Sequence, residues 1–264
     1  GILTITSSAP ALANIESGAL SYTENAAATA ITASITVSDA DSANMATGSV
    51  QITANYQSSE DVLSYTQVGS IVGTWTAGSG TMALSGSDTV ANYQLALRAV
   101  KYANSSDNPS TLTRTVTFKV NDGTADSNTQ TRNVSVTAVN DAPTLTTVSA
   151  LPGATEDTAF TISFATLGAA SNTNDVDGGS LQFRIEAVSS GTLTKGGSAV
   201  VPGTTLLGAG ESLVWTPATN ANGTLNAFTV RAWDGSLASA SAVQVQVQVA
   251  AVDDAPTLTT VSPL

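Results

Sequence analysis

Apolar and polar residues alternate along most of this chain. In the first half, Ile31, Ala33, Ile35 and Val37 share one parity. So do Val50 and Ile52, then Val116, Phe118 and Val120, then Val134, Val136 and Ala138. In the second half the pattern runs through Phe160, Ile162 and Phe164, then Leu181, Phe183 and Ile185. It continues in Phe228, Val230 and Ala232, then in Val243, Val245, Val247 and Val249. Successive side chains of a strand point to opposite faces, so such runs predict half-buried strands. Turn clusters separate them: Asn121-Asp122-Gly123, Asp177-Gly178-Gly179, Asn222-Gly223 and Asp234-Gly235. One segment departs. From Asp88 to Ala99, Val90, Tyr93, Leu95 and Leu97 predict a short helix, with Asp88 or Ser87 as N-cap. The pattern as a whole predicts an all-β chain of two tandem Greek-key β-sandwich modules, with a short helix in the first.

Internal repetition sets the frame. Ala142-Pro143-Thr144-Leu145-Thr146-Thr147-Val148-Ser149 returns letter for letter at Ala255–Ser262, and a weaker copy starts at Ala9-Pro10-Ala11-Leu12. The prolines stand about 133 and about 113 residues apart, as sandwich modules of this size require. Residues 9–141 and 142–254 are therefore expected to be the two modules. Residues 1–8 read as the last strand of a preceding module or as an exchanged strand. Residues 255–264 read as the first strand of a following module or as an exchanged strand. The chain is expected to be a window cut from a longer array.

Composition narrows the chemistry. The 264 residues include no His and no Cys. Disulfides, thiolate nucleophiles, Cys/His zinc sites and every mechanism that needs a His base are excluded. Twenty acidic residues against eight basic ones give a formal charge of −12. No basic stripe exists to displace phosphate counterions, so nucleic acid is not an expected partner. No run approaches the ~18 apolar residues of a membrane span. Thr-rich strands and few charged residues point to an extracellular protein.

The placement of the acids matters more than their number. A Greek key puts three features at the top of a module: the entering linker, the loop after the second strand and the last hairpin. The loops after the first and third strands lie at the bottom. This expectation gathers Glu24, Glu60 or its neighbour Asp61, Asn140, Asp141, Asp175, Asp177 and Asp234 at the junction of the modules. Asp39, Asp41 and Asp122 form a weaker set at the top of the first module, where Ser7-Ser8 stands in the linker. Glu156, Asp157, Asp253 and Asp254 form half a site at the C-terminal end. Bare like charges a few ångströms apart repel by about 4 kcal/mol per pair at an effective dielectric near 20. Ca²⁺ takes six to eight oxygens in flexible geometry, which fits this set, and Mg²⁺ ranks second. In an extended loop, Asp-x-Asp aims both carboxylates the same way. Any one of these acids alone also reads as a solvated turn cap.

Several motifs together resemble a family. They are Tyr22-Thr23-Glu24-Asn25, Asp39-Ala40-Asp41, Asn121-Asp122-Gly123 and Val139-Asn140-Asp141-Ala142-Pro143. The second half repeats them as Glu156-Asp157, Asp175-Val176-Asp177, Trp233-Asp234-Gly235 and Val252-Asp253-Asp254-Ala255-Pro256. The chain resembles the bacterial cadherin-like repeats of large surface adhesins over nearly its whole length. The resemblance implies cadherin-like, Ig-like sandwiches strung end to end with calcium stiffening their junctions. The linker is shorter than in animal cadherins, which favours one ion per junction.

The expected function is a non-enzymatic, calcium-stiffened structural or adhesive module at the bacterial cell surface. Its partners would be neighbouring modules or identical subunits, and cell-surface glycans or proteins. One alternative is a self-assembling filament subunit, in which Ile2–Thr6 or Thr257–Val261 pairs with another copy. Another is a carbohydrate-binding module using Trp75, Trp215 or Trp233, of which Trp233 is expected in the core and Trp75 exposed. Catalysis by paired carboxylates is disfavoured because the acids lie at junctions rather than in one cleft.

Overall fold

The computed structural model describes residues 7–256. The strands expected at Ile2–Thr6 and Thr257–Val261 lie outside that range. The chain divides into two units, Gly1–Val139 and Asn140–Leu264, each with its own hydrophobic core. Both are β-sandwiches.

In the first unit, alternation along Arg114–Asn121 is complete. Arg114, Val116, Phe118 and Val120 point inward and the residues between them outward. This strand sits inside a six-stranded sheet, ordered Leu20–Thr23, Gln130–Thr137, Arg114–Asn121, Asn44–Ala54, Thr81–Thr89, Val72–Thr76. The first pair is parallel, with Tyr22 opposite Val136. A three-stranded sheet of Thr29–Ala30, Val100–Asn104 and Asp61–Tyr65 covers the core from the other side. Phe118, Tyr93 and Tyr102 are fully buried between the layers. Burying a side chain of this size stabilises by roughly 1.5–3 kcal/mol each.

The run Ile31–Val37 does not form one strand. Thr29–Ala30 pairs with Val100–Asn104, whereas Thr36–Ser38 pairs with Ala11–Ala13. A polar knot breaks the run between them. Glu16 accepts from Thr32 Oγ1 at 2.7 Å and from the Ala33 N–H at 2.8 Å. Thr32 Oγ1 in turn accepts from the Ser34 and Ile35 N–H groups. Ile31 and Ile35 remain buried, but Ala33 is exposed.

The helix spans Val90–Ala99, and its N-cap is Thr89, whose Oγ1 accepts from the Asn92 N–H. The expected cap at Asp88 or Ser87 is thus one or two residues early. Asp88 is otherwise engaged, accepting from Ser70 N–H, Ser70 Oγ, Thr89 N–H and Asn92 Nδ2. Tyr93, Ala96 and Leu97 face the core, while Leu95 is half exposed. A helical face repeats at three and four residues, so Leu95 cannot share the face of Tyr93 and Leu97.

The second unit pairs a five-stranded sheet with a four-stranded one. The first runs Leu151–Thr155, Val243–Ala250, Gly223–Trp233, Gln182–Val188, Leu206–Leu207. The second runs Phe160–Ser163, Ser212–Thr216, Thr192–Lys195, Ser198–Ala199. Leu151–Thr155 lies parallel to Val243–Ala250, as Leu20–Thr23 does to the last strand of the first unit. Trp215 is fully buried, its indole donating to the Ser190 carbonyl at 2.8 Å. The expected strand through Phe164 stops at Ser163. A second short helix, Phe164–Ala170, begins there because Ser163 Oγ caps the Thr166 N–H at 3.0 Å. Each sandwich therefore carries a helix, not the first alone.

Candidate cation-binding poles

Within the second unit, the backbone of the Asp-x-Asp loop folds back on its own first carboxylate. The Asp177 N–H donates to Asp175 Oδ1 at 3.1 Å. The linker then docks on the acids. The Asp141 N–H donates to Asp177 Oδ2 at 2.6 Å, and Asn140 Nδ2 donates to Asp234 Oδ2 at 2.8 Å. Asp234 Oδ1 accepts the N–H groups of Ser236 and Leu237, which fixes the last hairpin. Asp175 Oδ2 is buried with no hydrogen-bond partner.

The first unit repeats this arrangement residue for residue. The Asp41 N–H donates to Asp39 Oδ1 at 3.0 Å. Ser8 takes the place of Asp141, and its N–H and hydroxyl donate to Asp41 at 3.1 Å and 2.6 Å. Ser7 Oγ reaches Asp122 Oδ2 at 3.3 Å, and Asp122 Oδ1 accepts from Thr124 and Ala125. Asp39 Oδ2 is the buried oxygen without a partner.

The opposite poles also correspond. Glu24 and Glu156 each follow the strand that runs parallel to the last strand. Glu24 is 6 % exposed and Glu156 4 %. Their backbone N–H groups donate to the carbonyls of Thr137 and Ala250. Glu24 Oε1 accepts the Val139 N–H at 2.7 Å, and Glu156 Oε1 accepts that of Val252. The second oxygens differ. Glu24 Oε2 is buried without a partner, whereas Glu156 Oε2 receives Asn222 Nδ2 at 3.1 Å. Asn25 and Asp157, the next residues, both adopt positive φ. Asp157 Oδ1 accepts the Asn220 N–H at 3.1 Å. With its amide turned, Asn220 also reaches Asp157 Oδ2 at 3.1 Å and Asp254 Oδ2 at 3.2 Å. Glu156, Asp157 and Asp254 thus share one pole, linked by Asn220 and Asn222, and Asp253 is exposed beside Asp254.

Glu60 belongs to a different structure. Its Oε2 accepts from Arg114 Nη2 at 3.2 Å, the Ser110 N–H at 3.1 Å and Asn104 Nδ2 at 3.5 Å. Its neighbour Asp61 is buried with Arg114, and the pair meets at 3.1 Å with both side chains fully inaccessible. Tyr102 Oη at 2.5 Å, Asn104 Nδ2 at 3.0 Å and the Gln57 N–H at 2.9 Å complete the shell of Asp61. Burial pushes the Tyr102 hydroxyl well above the ordinary tyrosine range, and its bond to Asp61 adds to the shift. The guanidinium offsets one of the two charges, and neutral donors fill the remaining contacts of Asp61 and of Glu60 Oε2. One signal of this pairing is in the sequence: Arg114 has the inward parity of Val116, Phe118 and Val120.

Four of the pole carboxyls, on Asp41, Asp122, Glu156 and Asp234, are held below their ordinary range. The Ser8 hydroxyl, then its N–H, lowers the pKa of Asp41. The N–H groups of Ala125 and Thr124 lower that of Asp122. The Val252 N–H and Asn222 lower that of Glu156. For Asp234, burial acts upward but is outweighed by Asn140 and the Leu237 and Ser236 N–H groups.

The tryptophans separate into three environments. Trp215 is in the core. Trp233 is not: it is half-buried on the sheet face beneath the Arg184 guanidinium, 4.9 Å from the ring centre. Trp75 is half-buried and meets Tyr56 edge-on at 6.2 Å.

Among the described residues, no group of three or more carboxylates is gathered closely enough to hold a metal ion by itself. The donor chemistry nevertheless suits a hard cation. The poles offer carboxylate and amide oxygens, and Glu24, Asp39 and Asp175 each bring a buried oxygen with no donor. Among the described residues, no helix is long and apolar enough to cross a membrane.

No curated protein matches the chain. Among solved structures, the chain is similar to mouse Cadherin-23 EC22-24, at 15% identity and a TM-score of 0.41 over 92% of this chain and 65% of that one. It is similar to the extracellular cadherin domains 1-5 of Protocadherin Gamma B2, at 16% identity and a TM-score of 0.49 over 93% of this chain and 41% of that one. An endo-fucoidan hydrolase of glycoside hydrolase family 107 follows at 16% identity and a TM-score of 0.28, with 29% of its chain covered. The chain thus spans less than two thirds of each, and these scores support no argument about function. Residues 139–250 match the model of the cadherin-like domain family.

Proposed function

We propose that this chain is a non-enzymatic structural and adhesive module of an extracellular bacterial surface protein or fibre, with its poles completed by calcium. The observation that carries this reading is the duplicated pole. In each unit an Asp-x-Asp loop and the last hairpin capture the backbone or side chains of the two residues that enter the unit. In each unit one buried oxygen of that loop, on Asp39 or Asp175, has no donor. A buried anionic oxygen left unpaired is costly, and a cation offsets the cost.

Asp175, Asp177, Asp234 and the linker residues Asn140 and Asp141 would hold an ion in the second unit. Asp39, Asp41 and Asp122 would do so in the first, more weakly, because Ser8 brings no charge. Glu24 presents a further oxygen where the chain leaves the first unit at Val139. Calcium supplies positive charge and flexible coordination by oxygen. Its mechanical effect is to restrict the backbone at residues 139–141.

The test is calorimetry and small-angle scattering of the chain in chelator and in calcium. An ion at about a hundred times its dissociation constant stabilises by ~2.7 kcal/mol. With an unfolding entropy of about 2.1 cal/mol/K per residue, a unit of roughly 125 residues gains about 10 °C. The particle is expected to lengthen as the linker stiffens. If saturating calcium shifts no transition and leaves the scattering unchanged, the reading fails.

A further inference from the structure

We propose that Asn222 is a site of spontaneous deamidation, which converts the amide that caps Glu156 into a second carboxylate. Asn222-Gly223 is the one Asn-Gly step in the sequence. In such a step the Gly223 backbone nitrogen attacks Asn222 Cγ. The new N–C bond closes a five-membered succinimide, the bond to Nδ2 breaks, and ammonia leaves carrying the glycine proton. Water then opens the ring at either carbonyl and leaves aspartate or isoaspartate. No oxidant or cofactor is needed.

Three features of the second unit expose this step. Asn222 is exposed and lies just ahead of the strand that begins at Gly223, outside the sheet itself. Gly223, paired with Val249 at the start of its strand, has φ +91°, and a Cβ placed there would meet no atom within 4 Å, so the backbone is open on the side where a side chain would project. A groove of about 390 Å³, lined by Gly153, Ala154, Gly223, Thr224 and Gln248, gives water access to it.

The consequence falls on Glu156. Its Oε2 now accepts from Asn222 Nδ2 at 3.1 Å, and the glutamate is 4 % exposed. After conversion both groups are acceptors, and the second unit has at this pole an oxygen without a donor, as Glu24 Oε2 is in the first. Two facing carboxylates repel unless a cation lies between them. Deamidation would therefore weaken the pole in chelator and raise its demand for calcium. This last step rests on the calcium reading; the deamidation itself does not.

The experiment incubates the whole chain at 37 °C at neutral and mildly alkaline pH and maps its peptides by mass spectrometry. Asn222 is expected to convert severalfold faster than any other asparagine, and Asn222→Gln is expected to abolish that product. Asn222→Asp, which mimics one product, should melt lower than the parent in chelator and gain more from calcium. If the Asn222 peptide stays intact in the folded chain while a short peptide of the same sequence converts, the proposal is overturned. If Asn222 converts but calcium shifts neither parent nor Asn222→Asp, the deamidation stands and the calcium reading falls.

Discussion

Asp61→Asn is nearly isosteric, yet it should be among the most damaging substitutions in the first unit. Every neighbour of the Asp61 carboxylate is a donor. Oδ1 accepts from Tyr102 Oη and Asn104 Nδ2, Oδ2 accepts from the Gln57 N–H, and Arg114 Nε spans both oxygens. An amide NH₂ in either position would face N–H groups; only the Tyr102 hydroxyl can rotate to accept. Arg114 would also lose its fully buried partner, keeping the more exposed Glu60 and the Leu112 and Ser110 carbonyls. Removing one member of a buried pair costs about 3–5 kcal/mol. For a unit of 139 residues, with about 2.1 cal/mol/K per residue, that is a fall of roughly 10–17 °C. Calorimetry of the whole chain reads it directly, because the second unit serves as the internal reference. Glu60→Gln should cost less than Asp61→Asn, since the Glu60 side chain is 17 % exposed and a glutamine keeps one oxygen for the Arg114 and Ser110 donors. If Asp61→Asn lowers the first transition by less than Glu60→Gln does, the buried network does not hold the unit as argued.

Backbone geometry gives a second contrast, in the other unit. A Cβ on Gly191, at φ +66°, would stand 2.2 Å from the Thr216 carbonyl oxygen, whereas one on Gly178, at φ +76°, would meet nothing. Gly191→Ala should therefore cost clearly more than the roughly 1–3 kcal/mol of a strained φ alone, and Gly178→Ala no more than that, as measured by urea denaturation. In acid, Asp88 and Glu16 set a window. Both carboxyls are lowered to about 2, Asp88 by Ser70 and Asn92, Glu16 by Thr32 and Ala33 against its burial. Their contribution to the first unit is complete above the ordinary carboxylate range and is lost as pH falls from about 4 toward 2. A stability–pH profile with no slope there contradicts this. In alkali, burial pushes Tyr93 up to about 12. Its contribution is present below the ordinary tyrosine value of about 10 and is lost as pH rises toward 12, which an ultraviolet titration of phenolate followed alongside unfolding would detect. Trp75→Ala should leave glycan-array signals unchanged if Trp75 only packs on Tyr56; loss of a specific signal would favour sugar binding.

The sandwich was legible because strand parity is a two-state code and the core reads it. Val116, Phe118 and Val120, or Val245, Val247 and Val249, cannot alternate as they do unless one face is buried. The same code misleads where an element changes. Phe164 keeps the parity of Phe160 and Ile162, so alternation alone cannot tell the last residue of a strand from the first of a helix. Ser163 decides it by capping Thr166. Ile31–Val37 keeps parity across a break that Glu16 imposes from outside the run.

The acids obey a subtler rule. Topology groups Asn140 and Asp141 with Asp177 and Asp234, because the linker and two loops of one unit must share an end, and the Asn140 side chain and Asp141 N–H donate to Asp234 and Asp177. It could not tell Glu60 from Glu24, since both follow strands at the same pole. What separates the carboxylates is the number of donors that each one faces. Asp61 has Tyr102, Asn104, Gln57 and Arg114, and its inward parity beside Leu63, matched by that of Arg114, was the sequence's own sign of a neutralised pair. Glu24, Asp39 and Asp175 each keep one buried oxygen that no donor reaches. An acid surrounded by donors stabilises the fold through its own partners, whereas an acid with a buried oxygen left over is, on the proposed reading, the one an ion would partner. That difference separates the groups that hold the sandwich together from those that calcium is expected to reach.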